Sequence, residues 1–102
     1  MIAAFPMYDR PEVSNATDGL WEEIKKSLGY GPKVLTRRTD VWALWQDPEL
    51  LLAQTCSLPF RQVLHSKVHY VATPDYAIEG CPPGYYKSVF VALKHQSLHE
   101  AA

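Results

Sequence analysis

A chain of 102 residues is long enough for one small domain and short for two. It is 47% hydrophobic and 21% charged, with three Trp and six Tyr, so it can bury a core and is not of disordered composition. A formal net charge of -1, with no Lys/Arg stripe, removes the electrostatic case for a nucleic-acid partner.

The longest apolar runs are too short to span a bilayer. Met1 leads directly into Ile2-Ala3-Ala4-Phe5, which lacks a basic flank and the length of a signal-peptide core. The polypeptide as written is therefore expected to carry no export signal.

In chain order, Ile2 to Tyr8 reads as a short strand running into a loop, with Pro6 ending the pairing because it lacks an amide donor. Ser14, Asn15 and Thr17 are candidate caps for a helix to about Leu28. Leu20, Trp21, Ile24 and Leu28 share one face of it, and Gly29 suits the residue just past its end. Lys33 to Thr36 reads as a second strand. Asp40 can cap a short helix from Val41 to Gln46, and Trp21, Trp42 and Trp45 are expected in the core. Leu50 to Gln54 is a continuous apolar run, as in a strand covered on both faces. A helix beginning at Asp47-Pro48 is the competing reading of that run.

Ser57, followed by Pro59, is expected to open a third helix over Leu58 to Ser66. Strands follow at 68–73 and 85–93, with the tail 95–102 polar. Alternating strands and helices predict an α/β fold with a mainly parallel sheet and helices on both faces. The last two strands lack an intervening helix, so the final one is expected to run antiparallel.

Between those last strands lies a dense turn signal: Pro74-Asp75, Gly80, then Pro82-Pro83-Gly84. Fixed φ at proline and access to φ > 0 at glycine make this a stiff corner. It carries Thr73, Asp75, Tyr76, Tyr85, Tyr86 and Ser88, polar groups able to meet a ligand.

Open α/β sheets bind ligands beyond the carboxyl ends of their parallel strands. That rule selects residues 6–9, 36–40, 54–57 and 73–76. Within them, Thr55-Cys56-Ser57 offers hydroxyls and amides at a helix start, although Ser57 as a simple cap is the commoner case. His65 and His69 have helical metal-pair spacing, but a helix ending near Ser66 would separate their faces, and no third ligand accompanies them, so no metal is expected. Cys56 and Cys81 do not have metal-ligand spacing, and a disulfide and two independent thiols both stay open.

Three stretches carry a resemblance: Ile2-Ala-Ala-Phe-Pro-Met-Tyr-Asp, Leu51-Leu-Ala-Gln-Thr-Cys-Ser-Leu-Pro, and Gly84-Tyr-Tyr-Lys-Ser-Val-Phe-Val. With them the chain resembles the amino-terminal part of phosphate/phosphonate ABC-transporter substrate-binding proteins. The resemblance implies a three-layer αβα lobe of the type 2 periplasmic-binding-protein fold, with a mainly parallel five-stranded sheet and one antiparallel strand. Residues 1–94 would form that lobe, and 95–102 would lie at the crossover to a second lobe that the sequence lacks.

The implied function is binding a small oxyanion, phosphate or phosphonate, in the periplasm for delivery to a membrane ABC permease, with no cofactor and no chemistry performed. Without an export signal in the sequence, the cytoplasm is the alternative location. The resemblance puts Tyr8, Thr55, Cys56, Ser57, Tyr76 and Tyr86 near the cleft; the corner adds Asp75 and Ser88. Better-known phosphonate binders carry an aromatic residue near position 55, which is Thr here. The implied fold also brings Cys56 and Cys81 towards one end of the sheet, which suggests a disulfide.

A lone lobe is expected to bind its anion more weakly than millimolar, at about −4 kcal/mol or less. The face left by the missing lobe is expected to favour self-association. The alternatives are a small enzyme using Cys56 as nucleophile with a histidine base, and a structural remnant that binds nothing.

Overall fold

The computed structural model describes residues 1–89 and 91–94. It divides into two compact units, Met1–Tyr70 and Val71–Ala102. The first unit holds all the regular secondary structure of the described residues. Strand β1 (Ile2–Ala4) is followed by a 3-10 turn (Pro11–Val13), helix α1 (Ser14–Leu28), helix α2 (Val41–Trp45), strand β2 (Leu50–Ala53), helix α3 (Ser57–Gln62) and a second 3-10 turn (Leu64–Ser66). The architecture is mixed α/β around a two-stranded parallel sheet.

The sheet explains where the core lies. Successive side chains of a strand point to opposite faces. Ile2 and Ala4 therefore pack with Leu44 of α2 on one side. Ala3 packs with Trp21 of α1 and Leu35 on the other. Each face of β1 is thus covered by a helix, and a strand buried on both sides needs no polar residue. The pairing register is Ile2 with Leu50, Ala3 with Leu52 and Ala4 with Ala53, with an irregularity between Ile2 and Ala3.

Both fully packed indoles satisfy their N–H against backbone, as buried tryptophans must. Trp21 Nε1 donates to the Pro32 carbonyl at 3.0 Å and Trp45 Nε1 to that of Gln54 at 2.9 Å. Phe5 meets Trp21 edge-on, with ring centroids 6.5 Å apart.

Helix α1 ends as read, with Gly29 in the left-handed region (φ 81) and its N–H on the Lys25 carbonyl. Its start differs. The cap position is Val13, one residue earlier than the predicted polar caps, because the 3-10 turn leads the chain straight into the helix. The Ser14 and Thr17 hydroxyls turn back to the Arg10 and Val13 carbonyls instead. Leu20 and Leu28 are exposed, leaving Trp21 as the residue α1 buries. Helix α2 has the expected cap: Asp40 Oδ1 accepts from the Ala43 N–H at 3.1 Å. Trp42 is a correction, being 42% exposed while it packs edge-on against buried Trp45.

Among the described residues the sheet has two strands, β1 and β2, and the five expected are not shown. Residues 33–36 contribute a single ladder bond, Thr36 N–H to the Ala3 carbonyl at 2.8 Å, and bury Leu35 while leaving Val34 exposed. Among the described residues, 68–73 and 85–93 take no strand conformation; Phe90 and the tail 95–102 lie outside the described residues. The third helix is shorter than predicted. It stops at Gln62, Val63 leaves helical geometry (φ -131), and Leu64–Ser66 continues as a 3-10 turn around buried Leu64.

The second unit is built on turns. The Ile78 carbonyl accepts from the Cys81 N–H and the Pro82 carbonyl from the Tyr85 N–H, both at 3.1 Å. Gly80 and Gly84 are the third residues of these turns, each with φ 79, a conformation that glycine reaches at little cost.

Candidate functional site

Parallel pairing puts the exits of β1 and β2 at the same edge of the sheet. The Gln54 N–H donates to the Ala4 carbonyl at 3.0 Å, so the loops 5–10 and 54–57 leave side by side. Four of the predicted site residues belong to these loops. Tyr8 is 59% exposed, Thr55 and Cys56 are half-buried, and Ser57 is exposed. The Thr55 hydroxyl donates to the Cys56 carbonyl at 3.3 Å.

Ser57 is the first residue of α3 and not its cap. Cys56 occupies the cap position in extended conformation, with no side-chain capping bond, and its carbonyl accepts from the Phe60 N–H. The indole of Trp45, fixed on the Gln54 carbonyl, holds this exit in place from below.

Sequence reading missed the strongest electrostatic feature of the same edge. Arg37 follows the Thr36 bond to β1, and its guanidinium lies between two carboxylates. Nε and Nη2 both donate to Asp9, and Nη2 also reaches Asp18 Oδ1 at 2.9 Å. The Asp9 side chain is only 10% exposed and that of Arg37 41%. Hydrogen bonds to Asp9 and then Asp18 raise the Arg37 pKa further above its ordinary value, so the guanidinium is permanently charged. Asp9 falls in the first strand's exit loop, but partners separated by 28 positions leave no local signature. A second pair, Arg38 with Asp47 at 2.8 Å, ties the start of the α2 region to the loop before β2.

The other four predicted residues, Asp75, Tyr76, Tyr86 and Ser88, belong to the second unit and are exposed there. Asp75 braces the corner. Its Oδ1 accepts from the Ala77 N–H at 2.9 Å and the Gly84 N–H at 3.3 Å, tying the two arms together. Ala77 takes φ 53, the left-handed conformation unusual for a residue with a Cβ. The expected corner is thus a pair of turns whose arms are joined through the Asp75 carboxylate.

Cys56 and Cys81 are free thiols, half-buried, each in its own unit. His65 lies in the second 3-10 turn and His69 beyond it, both exposed. Among the described residues no three His, Cys, Asp or Glu side chains form a metal-ligating group. Comparison with protein-family models, with curated proteins and with solved structures finds no match for the chain.

Proposed function

We propose that the chain is the amino-terminal, αβα-layered lobe of a solute-binding protein of the phosphate/phosphonate ABC-transporter kind. It binds a small oxyanion at the carboxyl edge of its parallel strands and performs no chemistry. The observation that supports this is the parallel β1–β2 pairing, closed by the Gln54–Ala4 bond, from which the loops bearing Tyr8 and Thr55-Cys56-Ser57 emerge together. Hydroxyls and backbone amides at a strand exit match the needs of an oxyanion, which accepts hydrogen bonds and donates few. A helix on each face of β1 fits the layering of such a lobe. On this reading the permease partner and the periplasmic location belong to the transport system as a whole.

The edge is open, with Tyr8 and Ser57 exposed, whereas tight small-molecule sites bury most of their ligand. Affinity is therefore expected in the millimolar range, about −4 kcal/mol, or weaker. The test is an amide NMR titration with inorganic phosphate and with methylphosphonate, against chloride at equal ionic strength. Saturable shifts confined to the amides of residues 6–10 and 55–58 support the reading. Shifts that chloride reproduces, or that spread over the surface, remove it.

A further inference from the structure

We propose that Arg37 is a positioning residue: a latch that fixes the β1 exit loop, residues 5–10, in the form that presents Tyr8 at the carboxyl edge of the sheet. The role rests on the anion-binding reading above. Three separate parts of the chain converge on this one side chain. Asp9 comes from the exit loop, Asp18 from the first half of α1, and Arg37 itself follows a residue hydrogen-bonded to the middle of β1.

Geometry and charge together select this role. The guanidinium engages Asp9 through two of its nitrogens, an arrangement a planar fork can make and an ammonium cannot. Asp9 is the least exposed carboxylate among the ion pairs of the described residues, so breaking its pair would leave a poorly hydrated charge. The loop then doubles back beside Asp9: the Arg10 N–H donates to the Tyr8 carbonyl at 2.9 Å, and the Val13 N–H to that of Arg10 at 2.9 Å, leading into α1. Fixing Asp9 therefore fixes Tyr8 on one side and the helix entry on the other. Direct contact between Arg37 and the anion is the competing role. One guanidinium facing two carboxylates leaves this cluster net negative, which repels an anion.

The experiment compares wild type with Arg37→Gln, Arg37→Lys, Asp9→Asn and the double variant Asp9→Asn/Arg37→Gln. Its first readout, made without any anion, is hydrogen exchange at the Arg10 and Val13 amides, with the Gln54 amide, just past β2 and bonded to the Ala4 carbonyl, as control. Arg37→Gln should speed exchange at Arg10 and Val13 about tenfold or more and leave Gln54 within about twofold. Arg37→Lys, which keeps the charge without the fork, should fall between. The double variant should be no faster than Arg37→Gln alone, because both changes cut the same tie.

Unchanged exchange at Arg10 and Val13 in Arg37→Gln would overturn the latch. Equal acceleration at all three amides would also overturn it, marking general destabilisation instead. The second readout is inorganic phosphate affinity, which should fall about tenfold in Arg37→Gln and partly recover in Arg37→Lys. Wild type that binds phosphate with an affinity Arg37→Gln does not change overturns the positioning role alone. Wild type that shows no saturable binding overturns the anion site and this role within it together, while the exchange data still decide whether the loop is tied.

Discussion

Gly31 shows how one missing atom sets the position of the largest buried side chain. Its φ of 138 is open to glycine, and a Cβ there would stand 2.8 Å from Trp21 Cζ2 and 2.9 Å from Cη2. The indole cannot retreat, since its N–H is held by the Pro32 carbonyl and its other face packs in the core. Gly31→Ala should therefore cost about 2–4 kcal/mol, combining overpacking with a strained backbone. Urea unfolding would measure it, and a loss below about 1 kcal/mol would show that Trp21 has room the packing denies.

Asp47 carries a pH dependence of its own. Its carboxylate accepts from the Glu49 N–H and from Arg38, which lower its pKa below the ordinary value. A carboxylate depressed in the folded state stabilises the fold above its ordinary titration range, and that contribution disappears as pH falls through the folded-state value. Asp47→Asn should thus lower the urea midpoint near neutral pH, and the gap from wild type should close on acidification. A gap constant with pH would remove Asp47 from the acid response.

Among elements, α2 depends most on a single residue. It is five residues long, far too short to persist by itself, yet it supplies Leu44 and Trp45 to the core. Its cap is the side chain of Asp40, and Asp40→Ala should cost about 1 kcal/mol. A thermal midpoint unchanged by that substitution would mean that packing alone holds the helix.

This element was legible in the sequence because a capping residue directly precedes an apolar pair. Helix α1 was legible from its periodicity and Gly29, and β2 from its uninterrupted apolar run. The Pro82-Pro83-Gly84 turn was legible because its residues restrict φ locally. What could not be read were the features that depend on distant partners. Thr36 gains one strand bond and Val34 none, and the described residues of 85–93 have strand composition but no strand assignment. Trp42 shares the residue type of Trp45 but faces solvent, and Asp9 meets Arg37 only after folding. Thr55-Cys56-Ser57 does follow a strand, whereas the cap of α3 is Cys56 and not Ser57, and Asp75 binds backbone of its own corner.

At the scale of the molecule, the two units differ in how they are held. The first has a sheet, three helices and two buried clusters. In the second, Val71, Tyr85, Tyr86, Val89, Val91 and Leu93 are all exposed, and past Tyr85 the described residues make no backbone–backbone hydrogen bond. Backbone without such bonds exchanges quickly, so amides 86–89 and 91–94 should exchange near the unprotected rate while Thr36 and Gln54 are slow. Protection of alternate amides in 86–94 would instead reveal a strand partner. The thiols offer a second whole-chain test. Unfolded protein never exposed to reductant should titrate two free thiols, as Cys56 and Cys81 stand in the structure. Finding none would restore the bridge that the family resemblance implies.

The bond from Trp45 to Gln54 has an optical consequence. An indole whose N–H is fixed on the residue next to Thr55 emits light according to the geometry of that bond, and Trp42 touches its ring from the solvent side at a centroid distance of 5.4 Å. The protein thus carries its own fluorophore against the strand exit. In a Trp42→Phe/Trp21→Phe background, where Trp45 is the one indole left, movement of residues 54–57 should change its emission.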